Sequence, residues 1–223
     1  RPGISLELWG LEIDQRPIQI ALQNRLFRES WSSYVLNFLT SMKNSGQWTE
    51  GENHGKILWG DARKKIQEIP SEVKFDLIFL DAFSPPKCPQ LWSEEFLLQL
   101  GNKLTQQGRL ITYSRAASIR ASLKRAGLKL YSLIPEKQET SQWSIGTIAT
   151  KQRLQKEECK NTERWKELSE MEEEHLSTLA AIPYRDPTGT GCVEEILNRR
   201  KMEQKKSSLP STSSWKKRWG QQK

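Results

Sequence analysis

The sequence predicts an α/β fold built on an open, mostly parallel sheet, and three observations carry that prediction. Between residues 4 and 150, apolar strand-like runs alternate with stretches of helical spacing. Three of those runs end in an acid: Glu12, Asp61 and Asp81. The most apolar run, residues 75–80, leads into a segment with prolines at 85, 86 and 89, which suits neither a helix interior nor a sheet ladder.

Residues 4–13 read as the first strand. Pro17 stands where a first helical turn tolerates it, and residues 18–27 continue as helix. Residues 31–42 carry apolar side chains at helical spacing. Residues 56–59 form a short strand closed by Gly60 and Asp61, with a helix to about residue 69. Residues 75–80, Phe-Asp-Leu-Ile-Phe-Leu, are the clearest buried strand. Ser93 is placed to cap a helix to about residue 104, whose positive end suits Glu94 and Glu95. A strand over 109–113 precedes a helix over 116–126 that Gly127 stops. Residues 128–134 and 144–150 follow with no helix between them and are expected to pair as an antiparallel hairpin at one sheet edge. Tyr113 and Ser114, ending their strand on the ligand-binding edge, are secondary candidates to line a pocket.

From residue 151 the charge density rises. Residues 162–179 read as a solvated helix with an exposed His175, residues 183–187 break it, and residues 191–206 form one more helix. The Pro-flanked, aromatic segment 183–187 is expected to fold back over the active site, which requires that Tyr184 not be fully exposed. The organisation expected is an α/β domain over 1–150, a helical extension over 151–206 and a basic flexible tail over 207–223.

Hydrophobic residues make up 35% of the 223, and the mean hydropathy of −0.72 is low for a compact enzyme, in keeping with a solvated segment. The net charge of +8 is unevenly placed: Arg199 to Lys223 holds nine Lys and Arg against one acid, Glu203, so the rest of the chain is neutral. Such a tail either stays solvated or attracts a phosphate backbone. Trp215 and Trp219 within it either stack on bases or dock the tail on the domain. Cys88, Cys159 and Cys192 are odd in number and far apart, forming neither a disulfide framework nor a zinc site, so a reducing cytoplasm is expected. No apolar run approaches the roughly 20 residues that span a bilayer. Neither a membrane nor a metal is expected as partner, and the chain is expected to be a monomer.

In open α/β sheets ligands sit beyond the carboxyl ends of the strands. A single acid there is often only a helix cap; three on one sheet edge point to a site. Glu12 suits both hydroxyls of a ribose, since a carboxylate offers two oxygens. Asp61, just after Gly60, suits the exocyclic amine of an adenine, and Asp81 faces the reacting end.

The run Asp81-Ala82-Phe83-Ser84-Pro85-Pro86-Lys87-Cys88-Pro89-Gln90-Leu91-Trp92 resembles the signature of the methyltransferase half of the MnmC family, and all six of its fixed positions match. Gly10-Leu11-Glu12 and Trp59-Gly60-Asp61 are similar to that family's acidic strand ends, and residues 108–127 to its later strand, turn and helix. The similarity covers roughly residues 4–150. It implies a class I S-adenosylmethionine-dependent methyltransferase sheet that makes 5-methylaminomethyl-uridine at the wobble position of tRNA. On that resemblance Glu12, Asp61 and Asp81 hold the cofactor, Asp81 is also the catalytic acceptor for the substrate amine, and Phe83, Lys87 and Trp92 bind substrate: the rings as apolar walls on uracil, Lys87 on a phosphate.

Two departures accompany the resemblance. Enzymes of this fold place a first strand and glycine-rich loop ahead of the Glu12 strand, whereas only Arg1-Pro2-Gly3 precedes residue 4. The expectation is an N-terminally truncated sheet lacking that strand and loop, with an exposed edge in its place. The 73 residues after Thr150 are also too few and too polar for the family's flavin-dependent oxidase, implying a stand-alone methyltransferase. The rival readings are an aminopropyltransferase, disfavoured because residues 82–92 contain no acid, and a truncated, non-catalytic RNA-binding fragment.

Overall fold

The computed structural model describes residues 3–135, 144–155 and 164–220, and the chain forms two compact units, Arg1–Pro70 and Ser71–Lys223. The stretch 1–150 is thus divided at residue 70, and the C-terminal extension belongs to the second unit.

In the first unit β1 (Glu7–Glu12) is followed by α1 (Arg16–Gln23), α2 (Arg25–Ser30), α3 (Ser33–Ser45), β2 (Gln47–Glu50), β3 (Asn53–Trp59) and the short α4 (Ala62–Lys65). β3 is central, parallel to β1 and antiparallel to β2. The helix expected over 18–27 is two helices. Asn24 leaves helical geometry at ψ 122° and its side chain accepts the Phe27 N–H, starting α2; Asn competes with a helix interior but favours its cap. β2 was not foreseen, because a four-residue strand with no buried position shows no alternation. Met42, Leu58, Ala62, Ile66 and Ile69 form the buried apolar set of this unit.

The second unit contains β4 (Phe75–Leu80), α5 (Glu94–Lys103), β5 (Leu104–Thr112), α6 (Ala117–Arg125), β6 (Lys129–Leu133), β7 (Gly146–Thr150), β8 (Trp165–Glu167), α7 (Glu170–His175), α8 (Val193–Lys206) and α9 (Thr212–Arg218). Its sheet order is β4-β5-β7-β6-β8, with β4 and β5 parallel and every other pair antiparallel. Ser93 caps α5 by accepting the Phe96 N–H, as the sequence predicts. β6 and β7 form the expected antiparallel pair. They do not lie at the edge, however: β7 inserts beside β5, and β8, too short to show a pattern, covers β6. At Gly108 a side chain would meet the Phe75 carbonyl at 2.7 Å, where the β4–β5 register shifts.

β4 has the bounds its composition predicts but not the burial. Phe79 is 71% exposed and Leu77 is also exposed, leaving Leu80 as the one buried residue of the strand. Its free edge has no partner strand among the described residues, and neither does the free edge of β1.

The solvated helix expected over 162–179 is, where described, β8, α7 and a 3-10 turn at Leu179–Ala181. Charge density there conceals a buried ion pair. Arg120 and Glu172 are each 2% exposed and meet at 2.8 Å, and the guanidinium also donates to Thr147, Ser132, Ser144 and the Gly146 carbonyl. The network ties α6, β6, β7 and α7 together. Ser169 fixes the start of α7 through a capping box with the same Glu172.

Within the expected tail, Thr212–Arg218 form α9, which docks on α7. Trp215 is buried in α9, donates its indole N–H to the Met171 carbonyl at 3.1 Å and stacks on His175 at 4.1 Å. The Trp219 indole donates to the Glu174 carboxylate at 2.7 Å. These contacts answer the open question about the two tryptophans in favour of docking, and they leave His175 half-buried rather than exposed. Among the described residues no helix is long and apolar enough to cross a membrane.

Candidate active site

Glu12 and Asp61 close strands of the first unit, whereas Asp81 follows β4 in the second. Glu12 is exposed, and its Oε1 accepts the backbone N–H groups of Ile13 and Asp14, each at 2.8 Å. Its other oxygen has no partner among the described residues, so one acceptor, not two, is free for a hydroxyl. Asp61 caps α4 and takes four contacts from Arg63, through the backbone N–H at 3.0 Å and the guanidinium at 2.6 to 3.2 Å. The Arg63 side chain accordingly holds the Asp61 carboxyl below its ordinary range. The Nε–H is shared between both oxygens, so three N–H donors meet the about four lone-pair sites of the carboxylate. Asp61 thus serves as the cap of α4 and the partner of Arg63 in the first unit. A surface hollow of about 390 Å³ in this unit is lined by Gln23, Arg25, Arg28, Glu29 and Leu36 and holds none of these acids.

In the second unit the residues around Asp81 are fixed by aromatic donors. The Tyr113 hydroxyl donates to the Ala82 carbonyl at 2.8 Å, and the Trp92 indole N–H donates to the Phe83 carbonyl at 2.6 Å. The two rings meet edge to face, 5.8 Å between centroids. Within the loop, the Lys87 and Cys88 N–H groups both donate to the Ser84 carbonyl, at 2.8 and 3.0 Å, while Pro85 and Pro89 are buried. The backbone just after Asp81 is therefore held from both sides. The Asp81 carboxylate itself is exposed and has no hydrogen bond or ion pair among the described residues.

Trp92 is 0% exposed, so it pins the loop from inside and does not form the wall expected to stack on a base. Phe83, 79% exposed, does present its ring. Lys87 is exposed with no side-chain partner among the described residues. Tyr113 is half-exposed; burial, then the charges of Asp81 and Cys88, push its hydroxyl pKa up. Its strand-end position was the signal available in the sequence. Ser114 is buried and spent on the turn: its hydroxyl accepts the Ala116 N–H and its carbonyl the Thr147 hydroxyl.

The segment 183–187 joins the exit of this loop. Tyr184 is buried, bridges Ser93 in parallel, and accepts the Glu94 N–H at 2.9 Å. Glu95 accepts from the Arg185 guanidinium at 2.7 Å and the Asp186 N–H at 2.8 Å, and Arg200 lies over the Tyr184 ring. Trp92→Phe, which deletes the donor to Phe83 and leaves a cavity at a fully buried ring, is expected to cost about 2–4 kcal/mol of stability in chemical denaturation. A change near zero would show that the indole bond does not pin the loop.

A family described as S-adenosyl-L-methionine-dependent methyltransferase matches residues 25–151, more than half of the chain. An uncharacterized protein of Methanocaldococcus jannaschii is 31% identical over 185 residues, 82% of this chain and 47% of that protein. The tRNA 5-methylaminomethyl-2-thiouridine biosynthesis bifunctional protein MnmC of Leptospira borgpetersenii is 33% identical over 142 residues, 61% of this chain and 21% of that protein. The chain thus spans about half or less of the length of these relatives. The crystal structure of MNMC2 from Aquifex aeolicus is similar in fold, with a TM-score of 0.67 and 23% identity over 91% of this chain and 69% of that one.

Proposed function

The chain belongs to the S-adenosyl-L-methionine-dependent methyltransferase family, and from that footing we propose that it methylates the 5-aminomethyl nitrogen of a tRNA wobble uridine. The observation that carries this reading is Asp81: an exposed carboxylate with no partner among the described residues, on a backbone pinned by Tyr113 and Trp92, beside the exposed ring of Phe83. The names of the MnmC relatives supply the tRNA nucleoside.

An alkylammonium has a pKa of about 10, so at neutral pH its nitrogen lacks the lone pair that methyl transfer requires. Phe83 stacked on uracil excludes water from one side of the amine, and desolvation lowers the pKa of such a cation. Asp81 accepts a hydrogen bond from the same nitrogen and aims it. A carboxylate alone favours the charged amine, so the main work of Asp81 is orientation, with the released proton passing through it to solvent. Lys87 meets a flanking phosphate. The residues of the first unit fit the methyl donor in part: Glu12 keeps one free oxygen for a ribose hydroxyl, while Asp61 shares its carboxylate with Arg63. When bound, S-adenosylmethionine supplies a methyl carbon on a cationic sulfur.

Calorimetric titration of S-adenosylmethionine tests this reading on two chains: this one, and one carrying a glycine-rich strand and loop upstream of β1. Saturable binding by at least one is expected. Binding by neither would overturn the proposed activity.

A further inference from the structure

The +8 net charge concentrated between Arg199 and Lys223 is carried largely by the two docked helices α8 and α9. Lys201, Lys205 and Lys206 on α8 and Lys216 and Lys217 on α9 are exposed, and none has a hydrogen bond or ion pair among the described residues. One acid, Glu203, lies among these lysines on α8 and acts on the Arg185 guanidinium, and three other acids have partners of their own. Glu174 binds Arg218 and the Trp219 indole, Glu173 binds Lys124, and Glu195 caps the start of α8. The carboxyl end of each helix supplies about half a negative charge, so the two ends offset about one of the five lysines. Lys201 and Lys205, one helical turn apart, also repel each other.

The scaffold beneath these charges is firmly held. Ile196 is fully buried, Arg200 donates to the Ile182 and Ala180 carbonyls at 2.7 and 3.0 Å, and Gln204 donates to the Leu179 carbonyl at 3.0 Å. α8 packs against the Pro89–Trp92 turn of the loop that carries Asp81 and Phe83. Trp215 anchors α9 on α7. Lysines on an ordered frame lose less freedom on binding than those on a loose tail.

We propose that α8 and α9 form a cationic arm that grips the phosphate backbone of the RNA substrate next to the reactive base. The proposal rests on the tRNA reading above and extends it to a second contact surface. From Ile196 to Lys206 the helix rises about 15 Å, enough to lie along about two or three consecutive phosphates of an RNA strand. The apolar anchors Ile196 and Trp215 face the protein interior, whereas a membrane-surface helix turns its apolar face outward. A polyanion that needs only phosphates therefore fits better than a lipid surface.

The test uses the full chain and a variant with all five lysines changed to Gln (K201Q, K205Q, K206Q, K216Q, K217Q). Binding of an unmodified tRNA transcript and of phosphatidylserine vesicles is measured across a salt series, with the Tm of each protein. The expected result is a tRNA affinity lowered at least about tenfold near 0.1 M salt, a log K against log[salt] slope shallower by about 4, an unchanged Tm and no vesicle binding. Should the fivefold variant misfold, K216E/K217E on α9 alone is expected to weaken tRNA binding by several-fold. An unchanged slope in a folded variant, with tRNA still bound, overturns the arm and leaves the tRNA reading standing. Failure of the unaltered chain to bind tRNA at all overturns both. Vesicle binding in place of tRNA binding, lost in the variant, assigns the arm to lipid and also overturns the proposal.

Discussion

Asp81→Asn is expected to lower kcat for methyl transfer by about 10²–10⁴-fold, the range that a positioned proton acceptor contributes, with little change in KM for tRNA. The substitution preserves shape and keeps one acceptor oxygen, but it replaces the other with an N–H donor and removes the basic group through which the proton leaves. Because the native carboxylate is exposed and has no partner among the described residues, stability should stay within about 0.5 kcal/mol. That separation makes the experiment informative: a large kinetic loss at constant Tm places Asp81 at the reacting nitrogen. A rate within about threefold of the unaltered enzyme removes it from the mechanism.

The largest stability effect is expected at Glu172. Changing it to Gln leaves the Arg120 guanidinium, 2% exposed, without its counter-charge, a loss typically worth about 3–5 kcal/mol. Urea denaturation at neutral pH reads this directly, and pH adds an independent signature. Burial would raise the Glu172 carboxyl, but the Ser169 N–H, the Arg120 guanidinium and the Ser132 hydroxyl outweigh it and hold the pKa at about 2, against an ordinary 4.5. A folded-state value below the unfolded one means that the stabilisation is fully present above pH 4.5 and is lost as pH falls toward 2. A gap of this size corresponds to about 3 kcal/mol. Glu172→Gln should therefore be less stable than the native chain at pH 7 and nearly equal to it near pH 2. A constant difference across that window would contradict the buried pair.

The parts of this molecule that the sequence disclosed are those governed by local chemistry. β4 keeps its predicted bounds because six consecutive residues suit an extended strand. Ser93 caps α5 because a hydroxyl there meets free N–H groups, and the Asp81 loop is conspicuous because prolines at fixed spacing admit few backbones. Long-range partners were not disclosed. Trp92 was read as a surface for a base, yet it finds the Phe83 carbonyl and Tyr113 within the fold. Charges between 164 and 179 suggested solvent, because nothing local marks which Glu will meet Arg120 across 52 residues of chain. In each case the residue type was right for two roles, and only tertiary placement chose between them.

The most direct measurement is mass analysis of nucleosides from tRNA bearing 5-aminomethyl-uridine, after incubation with S-adenosylmethionine and a chain form that binds it. One added methyl on that nucleoside with the native protein, and none with Asp81→Asn, is the predicted pair of results. A methyl group appearing equally with both proteins, or on a different nucleoside, would contradict the assignment of Asp81 to the aminomethyl nitrogen.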